Sequence, residues 1–253
     1  QTIIAILTWT LTSITQPHMS FLKAEWRKLA IANYAIDPRV LAGYIPPKTE
    51  LDFWNGTCYI SLVGFMFLNT RLLGIPIPLH RNFEEVNLRF YVRFNDKGEW
   101  KRGVVFIKEI VPKPALTFVA NTVYKEHYQT MKMSHDWVEH ENSRTVKYCW
   151  SLKGEENAFS VKAALDPTVI AQGSESEFIT EHYWGYTKAG KNSSFEYEVT
   201  HPRWDCYEVS EYKIDVNFGS VYGTEFSELS NLKPTSVMLA EGSEITVENK
   251  RTI

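Results

Sequence analysis

From Glu84 to Phe94 the chain alternates strictly: Val86, Leu88, Phe90, Val92 and Phe94 fall in one set, and Glu85, Asn87, Arg89, Tyr91 and Arg93 in the other. Successive side chains of an extended chain point to opposite sides, so the run predicts a strand with one apolar and one charged face. The apolar face belongs to a core. Two readings of the polar face stay open from the sequence: it is solvated, as half-buried antiparallel strands commonly are, or it lines a wet interior such as a barrel mouth or ligand cleft.

Around this strand the pattern predicts mostly further strands. The chain reverses at Asn95-Asp96-Lys97-Gly98 and returns over Gly103 to Val111. With Phe94 facing Glu99, Lys108 falls opposite Glu85, a lysine among a carboxylate and arginines. Upstream, Leu51 to Trp54 and Thr57 to Val63 flank Asn55-Gly56, the dipeptide suited to a two-residue type I′ hairpin turn. The second of these strands runs on to Leu68 and enters a Pro-rich loop, Gly74 to His80, of the kind that carries function. Phe21 to Lys28 reads as a short helix or a strand entry, and Leu29 to Ile36 as an extended apolar run. Asp37 is placed to cap a helix that opens at Pro38 and stops at Tyr44, ahead of Pro46-Pro47. Ala115 to Tyr128 lacks glycine and proline and predicts a helix of about three to four turns. Downstream, Thr145 to Leu152 pairs with Ala158 to Leu165, and Phe178 to Thr187 with Ser194 to Thr200. A last strand, Ser236 to Ala240, turns at Glu241-Gly242-Ser243 into Glu244 to Glu248.

The chain has 253 residues, 44% hydrophobic and 14% aromatic, enough to fill a sizeable core, and the aromatic share favours β structure with amphipathic pockets. One domain is expected over residues 21–253, with residues 1–20 as an extension. The 27 Lys and Arg against 30 Asp and Glu leave a net charge of −3, with no basic excess for a phosphate backbone, so nucleic acid is not expected as a partner. Cys58, Cys149 and Cys206 lie far apart without zinc-site spacing and read as reduced thiols suited to the cytoplasm. Gln1 to Thr15 is apolar and uncharged, but no basic segment precedes it and hydroxyl side chains interrupt it; it reads as an extension or added strand, with a truncated signal sequence as the alternative. No run approaches the roughly 20 apolar residues that span a bilayer, so no membrane partner is expected.

Phosphate-binding glycine motifs, GxSxG and HExxH are absent. His135 and His140 are five apart, which does not put two imidazoles on one helical face; no metal or cofactor is expected. The candidate chemistry is the polar set Glu85, Asn87, Arg89, Tyr91 and Arg93, with Lys108 and Glu109. Enclosed, these groups must be paired, and a carboxylic or carbonyl ligand supplies the missing partner of an arginine. Lys108 has two readings, a desolvated nucleophile or a structural partner of Glu85. Tyr124, Glu126 and His127 are acid or base candidates or simply an exposed helix face.

Phe21-Leu22-x-Ala24-x-Trp26-Arg27-x-Leu29, Asn33-Tyr34, Leu51-Asp52-x-Trp54-x-Gly56, Ser61 to Phe65, Ile77-Pro78-x-His80, Glu85 to Arg93, Arg102 to Phe106, His201-Pro202-x-Trp204 and Ser236 to Gly242 form an ordered series over Phe21 to Val247. The series resembles the YqjF-like bacterial family, a domain of unknown function in the acetoacetate decarboxylase-like superfamily. The resemblance implies an α+β fold, mainly antiparallel: a sheet curled around a central cavity with a few short helices. In the true decarboxylases a lysine pair after a Tyr-Pro dipeptide forms a Schiff base with the keto acid. The comparable stretch here, Ala120 to Gln129, lacks the pair, so the resemblance does not bring the decarboxylase reaction with it. It does place Arg27 as a contact to a ligand's anionic group.

The sequence thus leads to a protein that binds a small polar or carboxylated molecule in a β-walled cavity, with no assigned catalytic residue. Its candidate contacts are Arg27, Glu85, Asn87, Arg89, Tyr91, Arg93, Lys108 and Tyr124. Two alternatives stand beside it: an enzyme acting on a small carbonyl or carboxylate compound, and an interaction protein that forms a homodimer.

Overall fold

The computed structural model describes residues 20–253, so the extension expected over residues 1–20 lies outside the described residues except for Ser20. Seven strands form a ring. In spatial order they are Ser194–Thr200, Trp184–Lys188, Glu99–Val111, Phe83–Asp96, Thr57–Leu72, Leu22–Ala35 and Ser236–Val247, each hydrogen-bonded to the next. The ring shuts where Val199 and Thr200 pair with Val247 and Thr246. Neighbours are antiparallel except Trp184–Lys188, which runs parallel to Glu99–Val111. Beyond Ser236–Val247 the sheet continues through Asp205–Asp215, Glu155–Val169, Arg144–Leu152 and Lys132–Glu139 as an antiparallel wing.

The wing packs back on the outside of the ring. Gly64 permits the contact, since a Cβ there would lie 2.7 Å from Tyr148 Cδ2. The Tyr148 hydroxyl donates to the Lys28 carbonyl at 2.8 Å. Tyr148, Trp150 and Phe159 of the wing share a core with Ala30, Leu62, Leu88 and Phe90 of the ring. A second core, containing Leu29, Ile31, Val63, Phe65, Tyr91 and Trp204, fills the interior.

These two cores explain the alternating strand. Val86, Leu88, Phe90 and Val92 are fully buried on the wing side. Glu85, Asn87 and Tyr91 are 1–2% exposed and Arg89 8%, so the polar face is not solvated: it points into the ring. Arg93, toward the strand's end, pairs with Glu50 at 2.6 Å and its side chain is 41% exposed.

Several predicted elements form as expected. Asn55 and Gly56, with φ of 48° and 79°, turn the hairpin between Phe53–Trp54 and Thr57–Leu72. The Asp37 carboxylate accepts from the Arg39 N–H and caps a short helix, Pro38–Leu41. Others need correction. Phe21 to Ile36 is one continuous strand, Leu22–Ala35, irregular between Arg27 and Ala30 where Lys28 takes φ 54°. The helix expected over Ala115 to Tyr128 is Pro114–Val123 and ends before Lys125, whose φ is 58°. Phe178 to Thr187 is not one strand: Ser174 caps a helix, Glu175–Thr180, and the strand starts at Trp184. Ser236–Val247 does not turn at Gly242 but bends through it; with φ 80° and room for no Cβ, 2.0 Å from the Trp26 carbonyl oxygen, that position requires glycine.

The register differs too. Asp96 faces Glu99, and a further slip between Leu88 and Arg89 sets Lys108 opposite Leu88 and Glu109 opposite Asn87. An odd displacement exchanges the faces of a strand. Lys108 therefore leaves the interior, and Glu109 enters it.

Candidate functional site

The ring encloses a cavity of about 260 Å³. Its walls are chiefly apolar, with Phe65, Phe67, Phe106 and Trp204 among them, and helix Pro114–Val123 covers it with Leu116, Val119 and Ala120. Polar groups enter from several elements. Strand Phe83–Asp96 supplies Glu85, Asn87 and Arg89, and strand Glu99–Val111 supplies Glu109. The left-handed backbone at Lys125 turns the chain after the helix so that Tyr124, Glu126 and Tyr128 all line the cavity. His182 arrives on the link between helix Glu175–Thr180 and strand Trp184–Lys188.

The three glutamates form a buried acid cluster. Asn87 Nδ2 donates to Glu85 Oε1 at 2.9 Å, and the Tyr128 hydroxyl donates to Glu85 Oε2 at 3.2 Å. The Tyr197 hydroxyl donates to Glu126 Oε1 at 2.9 Å. It reaches there because residue 185 is glycine; a Cβ at Gly185 would lie 2.1 Å from the Tyr197 ring. Burial pushes the Glu85 carboxyl up to about 7, against the opposing pull of the Asn87 and Tyr128 hydrogen bonds and the Arg89 charge. Burial, with Glu85 nearby, pushes Glu126 up to about 8. Glu109 is raised well above the carboxylate range by burial and by its two acidic neighbours. Near neutral pH much of the cluster is accordingly uncharged.

Arg89 stands beside it. Among the described residues its guanidinium makes no hydrogen bond or ion pair, its nearest aromatic partner being the Tyr91 ring, 5.8 Å from Cζ. Six buried side-chain atoms that find no partner among the described residues belong to residues that line this one cavity: Trp26 Nε1, Thr70 Oγ1, Asn87 Oδ1, Arg89 Nε, Glu109 Oε2 and His182 Nδ1. Buried polar groups are ordinarily satisfied, so such a concentration marks where a polar ligand fits. No set of three or more His, Cys, Asp or Glu among the described residues is arranged to hold a metal ion.

Of the residues named from the sequence, Glu85, Asn87, Arg89 and Tyr124 meet at the cavity. Four do not line it. Arg27 turns outward, paired with Glu25 at 2.8 Å and donating to the Gly242 carbonyl. Arg93 is held by Glu50 and the Trp100 ring. Tyr91 lies behind the lining, its hydroxyl 2.7 Å from Ser61 Oγ and its ring against His182. Lys108 donates to the Val221 carbonyl on the far face of the sheet. Glu109, part of the candidate polar set, and Glu126, an acid or base candidate, also belong to the site, although neither was among the ligand contacts. His182 was not singled out, since nothing local distinguishes it.

Among the described residues no helix is long and apolar enough to cross a membrane. Residues 23–244 match the profile of DUF2071, described as "Uncharacterized conserved protein". The uncharacterized protein YqjF of Bacillus subtilis (strain 168) is 28% identical over 201 residues, 78% of each chain. An acetoacetate decarboxylase from Legionella pneumophila superposes with a TM-score of 0.64 at 12% identity, covering 96% of this chain and 93% of its own. The enduracididine biosynthesis enzyme MppR, complexed with pyruvate, gives 0.64 at 13% identity and 98% coverage of both chains. At these identities the likeness is one of fold: a mainly antiparallel, curled, acetoacetate decarboxylase-like sheet.

Proposed function

The chain belongs to the DUF2071 family of uncharacterized conserved proteins, and from that premise we propose that residues 21–253 act as one domain that binds a small carboxylated molecule with an apolar body. The carboxylate meets Arg89. The observation that carries this reading is a guanidinium, 8% exposed, that makes no hydrogen bond or ion pair among the described residues in a chiefly apolar cavity. Burying a charge is costly unless it is paired, and a carboxylate is the geometric complement of a guanidinium. The raised pKa values of Glu85, Glu109 and Glu126 support the same sign of ligand, because neutral carboxyls leave the arginine charge uncompensated. MppR was solved with pyruvate in complex, a small carboxylate held by a related fold.

Binding fits the site better than Schiff-base chemistry. No lysine is among the residues lining the cavity. Lys125, the lysine of the stretch comparable to the decarboxylase motif, donates to the Ala189 carbonyl. A reducing cytoplasm suits the three cysteines, all free.

The test is titration calorimetry with short-chain and branched monocarboxylates and their carboxamides. Replacing Arg89→Met is expected to weaken acid binding about 10- to 100-fold, the range for one charge-assisted contact. Equal binding of acid and amide, or no loss on Arg89→Met, overturns the reading.

A further inference from the structure

Of the imidazoles that line the cavity among the described residues, His80, His182 and His201, only His182 is buried, 7% exposed. Its Nε2 lies 3.2 Å from Asp52 Oδ2, the oxygen that also accepts from Arg102 Nε at 2.7 Å. Burial alone pushes the Asp52 carboxyl up, but the hydrogen bonds from His182 and Arg102 outweigh it and hold the group below the usual carboxylate range. Asp52 is thus an anion that can only accept, and Nε2 must carry the proton. Burial pushes the imidazole's own pKa down to about 4, so the ring is neutral and Nδ1 is a bare lone pair. That lone pair has no donor among the described residues. A buried acceptor left unmade is costly, and every fixed feature around it keeps the proton on the other nitrogen.

His182 and Arg89 flank the same side chain. The imidazole lies 4.7 Å from the Tyr91 ring and the Arg89 guanidinium 5.8 Å from it. Both residues also line the same cavity, so one small molecule can touch both. We infer that the group facing His182 is a hydroxyl: the ligand is a small 2-hydroxy carboxylic acid with an apolar side chain, its carboxylate on Arg89 and its hydroxyl donating to His182 Nδ1. A 2-oxo acid has only acceptors and would set a carbonyl oxygen against a lone pair. An ammonium group would lie beside the arginine charge with the nearby carboxyls largely neutral. The apolar walls take the side chain.

This inference rests on the anion-binding role of Arg89, and the experiment separates the two. The probes share one skeleton: both enantiomers of 2-hydroxy-4-methylpentanoate, with 4-methyl-2-oxopentanoate, 4-methylpentanoate and leucine, each titrated calorimetrically into the full chain. One hydroxy acid enantiomer is expected to bind roughly tenfold or more tightly than the oxo and unsubstituted acids. His182→Phe is expected to erase that preference, the hydroxy, oxo and unsubstituted acids then binding alike. Imidazole nitrogen shifts in the unsubstituted protein give a second readout that needs no variant: Nδ1 should move to a hydrogen-bonded acceptor position with the hydroxy acid only. If the acids bind alike and depend on Arg89, the hydroxyl assignment fails and the anion site stands. If leucine binds tightest, the site takes an ammonium and the assignment fails. If no acid binds, or Arg89→Met changes nothing, the anion site itself fails.

Discussion

Replacing Glu85→Gln should make the protein more stable, and only on one side of neutrality. The wild-type carboxyl is fully buried and holds its proton up to about pH 7, whereas in the unfolded chain it ionises near the ordinary value of 4.5. The folded state therefore binds more protons than the unfolded one between those limits, and stability falls as pH rises through the window. Its contribution is intact below pH 4.5 and fully lost above about 7. A shift of this size corresponds to about 3 kcal/mol. Glutamine keeps the Oε1 acceptor for Asn87 Nδ2 and cannot ionise, so the variant should match wild type at pH 4.5 and exceed it by about 3 kcal/mol at pH 8. Urea unfolding at both pH values, followed by fluorescence and circular dichroism with equal slopes, measures this; the midpoint at pH 8 should rise by about 1 M for a slope of about 3 kcal/mol per M. The reasoning is refuted if the variant's advantage is the same at both pH values, or if it is the less stable protein at pH 8.

The other predictions concern packing and a second buried charge. Gly185→Ala puts a methyl where the Tyr197 ring lies, so the ring must leave Glu126; thermal unfolding should show a loss of about 1–3 kcal/mol, and carboxylate binding should change as well. Glu196 is fully buried and holds Arg251 Nε at 2.6 Å, Lys101 Nζ at 3.4 Å and the Tyr186 hydroxyl at 2.9 Å. Glu196→Ala leaves the buried phenol without its acceptor and Lys101 and Arg251 with Asp96 alone, and should cost about 3 kcal/mol in denaturant unfolding; a loss below 1 kcal/mol would show the cluster to be well hydrated.

What the sequence disclosed depended on how far each signal is local. The turn at Asn55-Gly56 and the Asp37-Pro38 cap are set by residues that touch one another, and both formed where predicted. The strand Phe83–Asp96 was legible for its period, yet the side on which water lies was not, because the wing that covers its apolar face comes from residues 132–169. Strands Lys132–Glu139 and Asp205–Asp215 escaped notice because they carry mostly exposed residues and little apolar alternation. That one strand supplies three of the polar residues of the site, Glu85, Asn87 and Arg89. Lys108 was misplaced by an odd register slip whose cause lies at a bulge; Arg27 was placed by the family resemblance and not by a strand pattern, and its neighbour Trp26 takes the cavity side. His182 required a contact with Asp52 across 130 positions, a separation at which a sequence shows no pairing.

The seam that shuts the ring has a temporal side. The first strand, Leu22–Ala35, is flanked by Thr57–Leu72 on one edge and by Ser236–Val247 on the other, with Leu22 facing Val247. During synthesis that second edge stays open until residues 236–247 have left the ribosome, and the Val199–Val247 closure cannot precede it. Non-local pairing of this kind folds slowly. A nascent chain stalled before residue 236 should carry an unpaired strand edge and no enclosed cavity, which makes it a target for chaperones and proteases while the finished protein is not.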